Sequence, residues 1–151
     1  MYTFGMVSEM NSKEIHELVR QFYAAFETQD VEALKSVVSD DWRDVPPAAG
    51  QAPGPDGAAP VFALISTAFN DFKITVEDVF IDGNRVGVRA KMSGVHADSF
   101  MGITGNQVWF DIALHEFHDI EGGRIVKTYH LEDWFGFFMQ VCSFPESPPN
   151  M

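Results

Sequence analysis

The stretch that decides the fold is Asp119–Gln140, which reads DIEGGRIVKTYHLEDWFGFFMQ. A Gly-containing turn leads into a strand over about 124–132, and this strand runs directly into an aromatic helix that begins at Trp134. Titratable side chains crowd this region. They are His130, Glu132 and Asp133 at the junction of strand and helix, and His115, Glu116 and His118 on the strand before the turn.

The overall composition predicts one globular domain. The chain has 151 residues, of which 46% are hydrophobic, and this is enough for a sizeable core. The formal net charge is −12, and the ten basic residues form no cluster, which argues against nucleic acid or an anionic membrane as a partner. We find neither a spanning apolar segment nor a secretory signal, so we expect a cytoplasmic protein. A single cysteine, Cys142, permits no internal disulfide.

The first half of the chain predicts helices. We expect a flexible arm over residues 1–10, a single domain over 11–142 and a disordered tail over 143–151. Apolar residues with a helical period predict a helix from about Ser12 to Thr28, a short helix after Asp30 and a third helix from Pro60. Between them, the Gly- and Pro-rich segment 48–59 predicts a long loop of the kind that often covers a site.

The second half of the chain predicts strands, because the apolar period changes to two after residue 72. Helices followed by an antiparallel meander predict an α+β domain, in which the N-terminal helices pack on the concave face of a curved sheet. Such a cone leaves a concavity that suits a small ligand. The predicted strands cover about 72–81, 85–96, 107–119 and 124–132.

Asp133 is the candidate general acid/base. Its position before the aromatic helix is typical of an N-cap, and this is the simpler interpretation. Burial among aromatic side chains would instead favour its protonated form and suit it to carry a proton. His118 is either a solvent-facing residue beside the turn or the partner of Asp133 in proton transfer. The register of the hairpin decides whether the two meet, and spacing alone does not fix that register.

Other histidines and motifs give weaker indications. His96 ends a predicted strand and is either a cavity residue or a satisfied structural histidine, whereas His115 and His130 are expected on the outer face. We find no ligand spacing typical of a metal site, no nucleotide-binding glycine motif and no nucleophile elbow. The sequence therefore predicts a site without metal or cofactor.

Several segments together carry a family resemblance. They include VRQFYAAF at 19–26, FNDFKITV at 69–76, SGVH at 93–96, GRIV at 123–126 and YHLEDWFGFFMQ at 129–140. In their order and spacing the chain resembles the SnoaL-like polyketide cyclases of the nuclear-transport-factor-2-like superfamily over about residues 12–141. The resemblance implies a cone-shaped α+β barrel, a pocket without cofactor and a homodimer or higher homo-oligomer.

The resemblance also implies a chemistry. In cyclising members an aspartate on the last strand is the acid/base of an intramolecular aldol condensation, and a histidine on the neighbouring strand assists it. Asp133 matches the position of that aspartate, and His118 is the nearest match for the histidine. We therefore expect a small-molecule cyclase or lyase that acts on a hydrophobic, polyketide-like carbonyl compound. The expected binding-pocket residues are Phe22, Phe26, Trp42, Phe69, His96, Tyr129 and Trp134.

Two alternatives remain open at this point. One is a non-catalytic module of the same fold that binds a hydrophobic ligand or dimerises through the outer face of its sheet. The other is an isomerase or an enzyme of the epoxide-hydrolase kind, which would need polar groups such as Asp111, Arg89 and Asp133 around a water molecule. Fold alone does not choose among these functions.

Overall fold

The computed structural model describes residues 10–145. Residues 1–9 of the expected arm and 146–151 of the expected tail therefore lie outside the described residues. A 3-10 turn at Pro55–Ala58 precedes the third helix. The helices are α1 (Ser12–Thr28), α2 (Val31–Lys35), α3 (Ala59–Ala68) and α4 (Trp134–Gln140). The strands are β1 (Val38–Val45), β2 (Phe69–Asp82), β3 (Arg85–His96), β4 (Trp109–Glu121) and β5 (Arg124–Glu132).

Local sequence sets the ends of α1. The Asn11 side chain accepts a hydrogen bond from the backbone N–H of Glu14, and the Glu14 carboxylate accepts one from the backbone N–H of Asn11. This capping box begins the helix, and Gln29 ends it in the left-handed conformation at φ 51°. The buried face of α1 carries Phe22 and Tyr23 toward the sheet. In the described part of the chain, no helix is long and apolar enough to cross a membrane.

The five strands form one curved sheet in the order β1-β5-β4-β3-β2. Strands β2 to β5 pair antiparallel, as the meander predicted. Strand β1 adds to β5 in parallel, which makes the sheet mixed; the sequence had indicated only a short extended piece near Trp42. The sheet remains open, with β1 and β2 at its edges. The α+β class is thus confirmed.

A bulge in β5 decides which side chains point inward. Asp119 pairs with Lys127, but the next residue, Ile120, pairs with Ile125, so β5 carries one extra residue at this point. Ile125 and Thr128 are consequently both buried, although strict alternation would place them on opposite faces.

The bulge corrects two expectations. His130 had been expected on the outer face, but beyond the bulge it lies on the inner face with Thr128 and Glu132, directly opposite the buried Glu116. Tyr129 had been expected to line the pocket, but it lies on the outer face, where it is exposed and opposite the exposed Phe117.

Candidate functional site

Five side chains from four elements form a continuous hydrogen-bonded network inside the cone. The Trp42 indole N–H donates to Thr128 Oγ1 over 3.1 Å, and this hydroxyl lies 3.0 Å from His118 Nδ1. On the other side of the ring, His118 Nε2 lies 3.1 Å from the Tyr23 hydroxyl, which donates to Glu116 Oε2 over 2.5 Å. All five residues are buried.

The positions of these residues follow from strand alternation and register. On β4, Glu116 and His118 alternate with the exposed His115 and Phe117, so both point into the cone. Thr128 lies directly opposite His118 across the β4–β5 ladder. Tyr23 reaches the network from the buried face of α1, and Trp42 reaches it from β1.

Burial sets the charge of the network. It raises the pKa of Glu116 to about 8, because the hydrogen bond from Tyr23 offsets the cost of burying a charge only in part. Burial also lowers the pKa of His118 to about 3, so that its ring is neutral at physiological pH. The pKa of Tyr23 is raised well above its usual value, first by burial and then by the neighbouring Glu116. A carboxyl group that titrates near neutral pH can both give and take a proton there.

A second polar group adjoins Glu116 at the ends of β1 and β5. His130 Nδ1 lies 2.8 Å from Glu132 Oε1, and Nε2 lies 2.7 Å from the carbonyl oxygen of Pro46. Both partners only accept, so both ring nitrogens carry a proton. Burial acts to lower the pKa of His130, but the Glu132 hydrogen bond and the charges of Glu132 and Asp44 raise it to about 9. Burial raises the pKa of Asp44, against the charge of His130 and a hydrogen bond from Gln51.

Exposure increases from the network toward this second group. The side chain of His118 is fully buried and that of Glu116 is 9% exposed. The values rise to 12% for Asp44, 17% for Glu132 and 19% for His130. Glu116 therefore lies between the fully buried imidazole and the partly exposed group.

A surface depression of about 250 Å³ lies between α1 and β2 and reaches Tyr23. Of the five network residues, Tyr23 lines this depression and Glu116 does not. A larger groove of about 410 Å³ lies on the outer face of the sheet, away from the network. The smaller depression is lined by Arg20, Tyr23, Ala24, Glu27, Ile74 and Val76.

Asp133 lies at a different place from the network. Its carboxylate is exposed and accepts a hydrogen bond from the backbone N–H of Gly136 over 2.8 Å, which caps α4. Its own backbone N–H donates to the carbonyl of Ala113, whereas His118 lies opposite Thr128, five residues earlier on β5. The structure therefore does not bring Asp133 and His118 together.

The remaining expected pocket residues are divided between two hydrophobic clusters. Phe22, Phe26 and Trp42 pack together beside His118 under α1, and the rings of Phe22 and His118 are 4.9 Å apart. Phe69 belongs to the other cluster, against which Trp134 packs. Tyr129 belongs to neither, because it lies on the outer face.

His96 is buried in the second cluster without a hydrogen-bond partner. Its ring lies edge-on to Phe137 at 5.3 Å, with Phe69 at 6.3 Å. Neither ring nitrogen of His96 makes a hydrogen bond of good geometry, although the Asn106 side chain and the backbone of Asp98 and Ile103 lie near the ring. Burial lowers the pKa of His96 more than these polar neighbours raise it, which favours a neutral ring.

Asp111, Arg89 and Asp133, which were considered as polar groups around a water molecule, lie apart in the structure. Arg89 forms ion pairs with Asp78 and with Glu77 on the outer face, and Lys91 lies 3.6 Å from Asp111, so Asp111, Arg89 and Asp133 form no joint polar site. Among residues 10–145, no three His, Cys, Asp or Glu side chains converge in a way that would hold a metal ion.

From sequence, Glu116 stood out as one of several titratable side chains but was given no role, and Tyr23 was given none either, although both left a signal. Glu116 and His118 continue the inward face that Ile112 and Leu114 begin on β4. Tyr23 lies on the apolar face of α1, beside Phe22. A charged residue that continues an apolar face is a candidate for a buried, hydrogen-bonded role.

Comparison with protein families assigns the fold. The model of the SnoaL-like polyketide cyclases matches residues 17–141, which is most of the chain. The chain belongs to the SnoaL-like polyketide cyclase family. No curated protein sequence matches this SnoaL-like chain.

Solved structures support the SnoaL-like fold. TsrD from Streptomyces laurentii is 20% identical with a TM-score of 0.82, and the match covers 90% of this chain and 100% of that one. IdmH from Streptomyces antibioticus, provisionally described as a polyketide cyclase, is 25% identical with a TM-score of 0.73 and coverages of 84% and 97%. AclR from Streptomyces galilaeus, provisionally described as a hydroxylase, is 17% identical with a TM-score of 0.74 and coverages of 91% and 91%.

Proposed function

We propose that this SnoaL-like chain is a cofactor-independent acid–base catalyst of the cyclase or lyase type, with Glu116 as its proton carrier. The observation that supports this proposal is the buried Glu116 carboxyl, whose pKa of about 8 lies near neutral pH. About a tenth of such a group is ionised at pH 7, which is the balance that general acid–base catalysis favours. The substrate class is a small hydrophobic carbonyl compound of the polyketide type, as family membership suggests.

The proposed reaction is the ring-closing aldol addition of an intramolecular aldol condensation. The ionised Glu116 removes a proton from a carbon atom between two carbonyl groups, and the electron pair moves onto the carbonyl oxygen to give an enolate. The enolate carbon then forms a bond to a second carbonyl carbon of the same molecule. Glu116 returns the proton to the new alkoxide oxygen. Between these steps the Tyr23 hydroxyl keeps its hydrogen bond to the carboxyl group.

We propose that the substrate approaches Glu116 through the depression between α1 and β2. Ala24, Ile74 and Val76 give this depression apolar walls, and Tyr23 connects it to the carboxyl group. Apolar walls with a few convergent polar groups are typical of sites that bind small molecules. A bulky residue at position 24, as in Ala24→Trp, is then expected to block the substrate without touching the Glu116 carboxyl.

Asp133 remains the other proposed acid/base, because its position matches the family's aspartate. Asparagine at this position keeps a carbonyl oxygen that can accept the N-cap hydrogen bond, but it cannot carry a proton. The variant Asp133→Asn therefore separates the two roles of this side chain. Glu116→Gln is the matched change in the network, since glutamine has nearly the same shape as glutamic acid.

Proton exchange at carbon tests the proposal without knowledge of the natural product. A panel of aryl 1,3-diketones in D₂O is incubated with each protein, and loss of the α-proton signal is followed by NMR. We expect exchange faster than in buffer alone with the wild-type chain and with Asp133→Asn, and exchange at the buffer rate with Glu116→Gln. The reverse pattern would move the acid/base role to Asp133. Exchange at the buffer rate with the wild-type chain would argue against the catalyst.

The second candidate function is non-catalytic binding of a hydrophobic ligand. It is favoured by the aromatic filling of the cone, in which Phe22, Trp42, Phe69, Phe110 and Phe137 are all buried. In that case the diketones would bind with shifts in the protein's NMR spectrum but would show no catalysed exchange. The isomerase and epoxide-hydrolase alternatives have no comparable observation in their favour.

We also propose that two copies of the chain pair through the outer face of the sheet. Phe80, Gly87, Phe117 and Tyr129 form a row across β2, β3, β4 and β5. Gly87 has no side chain and leaves a groove between the exposed rings of Phe80 and Phe117, which are each 64% exposed. Large exposed apolar patches mark sites of association.

The charge of this face favours a second copy as the partner. At least four of the chain's ten basic residues lie here. Arg85, Arg89 and Lys91 each pair with acidic neighbours, and Lys127 lies over the ring of Tyr129 at 5.5 Å. Basic groups therefore offset acidic ones on this face of a chain of net charge −12, which reduces the repulsion between two copies that meet here.

A further inference from the structure

We propose that Thr128, held by Trp42, is a positioning residue that fixes the neutral ring of His118 in the tautomer with its proton on Nε2. This inference deepens the proposed role of Glu116 and rests on it for its functional meaning. The inference rests on the hydrogen-bond donors and acceptors of the network. They can be assigned from Trp42 at one end or from Glu116 at the other.

The count from the inner end begins at Trp42. Its indole N–H can only donate, and it donates to Thr128 Oγ1 over 3.1 Å. The Thr128 hydroxyl then has one hydrogen left to place, and His118 Nδ1 lies 3.0 Å away. A proton on Nδ1 would give this oxygen a second donor and leave its own hydrogen without an acceptor in the network. Because Thr128 is buried, such an orphaned hydrogen would cost free energy.

Assignment from the Glu116 end also places the ring proton of His118 on Nε2. Tyr23 has one hydroxyl hydrogen, which it donates to Glu116 Oε2 over 2.5 Å. The Tyr23 oxygen can then meet His118 Nε2, at 3.1 Å, only by accepting a hydrogen from it. With the proton on Nε2, the four hydrogens of Trp42, Thr128, His118 and Tyr23 make four hydrogen bonds that all run toward Glu116.

The direction of this chain matters for Glu116. If the ring proton moved to Nδ1, Nε2 would become an acceptor and would compete with the carboxyl for the single hydrogen of Tyr23. Glu116 would then lose the donor that stabilises its ionised form. Thr128 thus acts on Glu116 through two intervening side chains, at a distance from any substrate.

Other titratable groups near Glu116 do not determine this tautomer. They are Asp44 on β1 and His130 and Glu132 on β5, and they contact one another at the ends of their strands. Within residues 10–145, none of the three forms a hydrogen bond with Tyr23 or His118. The tautomer of His118 is therefore set by its two hydroxyl neighbours.

The test is the ¹⁵N NMR spectrum of the His118 ring in the full, uniformly labelled chain, since protonated and unprotonated ring nitrogens have well-separated shifts. Signals are assigned by their loss in His118→Gln. For the wild type above the pKa of Glu116, we expect a protonated Nε2 and an unprotonated Nδ1. For Thr128→Val we expect the Nδ1 shift to move away from that of a hydrogen-bonded imine nitrogen, and the preference for the Nε2-protonated ring to weaken because only the Tyr23 contact then holds it. Thr128→Ser is expected to restore both.

Two results would overturn the inference. One is a wild-type ring protonated mainly on Nδ1, which decides the matter even if Thr128→Val does not fold. The other is a folded Thr128→Val chain with the wild-type shifts at both nitrogens. The spectra need no substrate, so a chain that shows the expected tautomer but no proton exchange would refute the proposed function and leave this inference standing.

Discussion

The hydroxyl of Tyr23 donates a hydrogen bond to Glu116 Oε2 over 2.5 Å, and it joins two buried side chains that are 93 residues apart in sequence. This contact ties the first helix to the central strands of the sheet. The pKa of Glu116 is raised to about 8, so this carboxyl stays protonated at neutral pH in the folded chain. The stability of the fold is therefore linked to its titration.

The first prediction is that stability falls as pH rises from about 6.5 to 8.5. The pKa of Glu116 is about 8 in the folded chain and near 4.5 when unperturbed, so over most of this interval the folded state holds a proton that the unfolded state has lost. His130, with a pKa raised from 6.5 to about 9, acts in the same direction. Each group contributes a slope of up to about 1.4 kcal/mol per pH unit.

Urea denaturation at pH 6.5, 7.5 and 8.5 measures this decline. Glu116→Gln removes one titrating group and is expected to reduce the slope, while the decline due to His130 remains. An unchanged slope in Glu116→Gln would mean that Glu116 ionises in the folded chain at its ordinary pKa.

The second prediction contrasts two buried histidines. His96→Leu is expected to raise the free energy of unfolding by about 1 kcal/mol, because it removes a buried imidazole that has no hydrogen-bond partner. His118→Leu is expected to lower it by about 1–3 kcal/mol, because it leaves the hydroxyls of Tyr23 and Thr128 with an unmade hydrogen bond. Thermal and urea unfolding of both variants measure these changes. Equal changes of unfolding free energy in the two variants would contradict the prediction.

The third prediction concerns the N-cap of α4. Asp133→Ala is expected to destabilise the chain by about 1 kcal/mol, because it removes the acceptor for the N–H of Gly136. Asp133→Asn keeps an acceptor and is expected to stay within about 0.5 kcal/mol of the wild type. Equal losses of unfolding free energy in the two variants would show that the charge of Asp133 matters for stability beyond the cap.

The fourth prediction concerns association through the outer face. The wild-type chain of 16.9 kDa is expected to behave as a dimer in light scattering coupled to size-exclusion chromatography. Phe117→Glu places a charge in the centre of the aromatic row and is expected to give monomers. The matched control is Leu64→Glu, which changes an exposed apolar side chain on α3, away from the sheet. A monomeric wild type, or equal dissociation by both changes, would contradict the proposed interface.

Most of the fold could be predicted from the sequence because its signals are local. Alternation over Arg85–His96 predicted β3 with its observed bounds, and the Gly-containing turn before Arg124 predicted the β4–β5 hairpin. The parallel pairing of β1 with β5 was not predictable, since it depends on contacts between segments about 85 residues apart. Resemblance to the SnoaL-like family was confirmed by the family model.

The site was less predictable because it depends on register. One extra residue in β5 turns His130 inward and Tyr129 outward, and no local sequence pattern predicts such a bulge. The network itself joins Tyr23 of α1 to Glu116 of β4, and only the packing of the helix on the sheet brings these two together. Asp133 stood out in the sequence because its place before an aromatic helix is a local feature.

The titration of the Glu116 carboxyl carbon, followed by ¹³C NMR in the full chain and assigned by its absence from Glu116→Gln, tests the central claim most directly. The claim is that the fold holds this carboxyl protonated at neutral pH and ready to exchange its proton. We expect a midpoint near pH 8 in the wild type. A midpoint near 4.5, the ordinary value for glutamate, would contradict it.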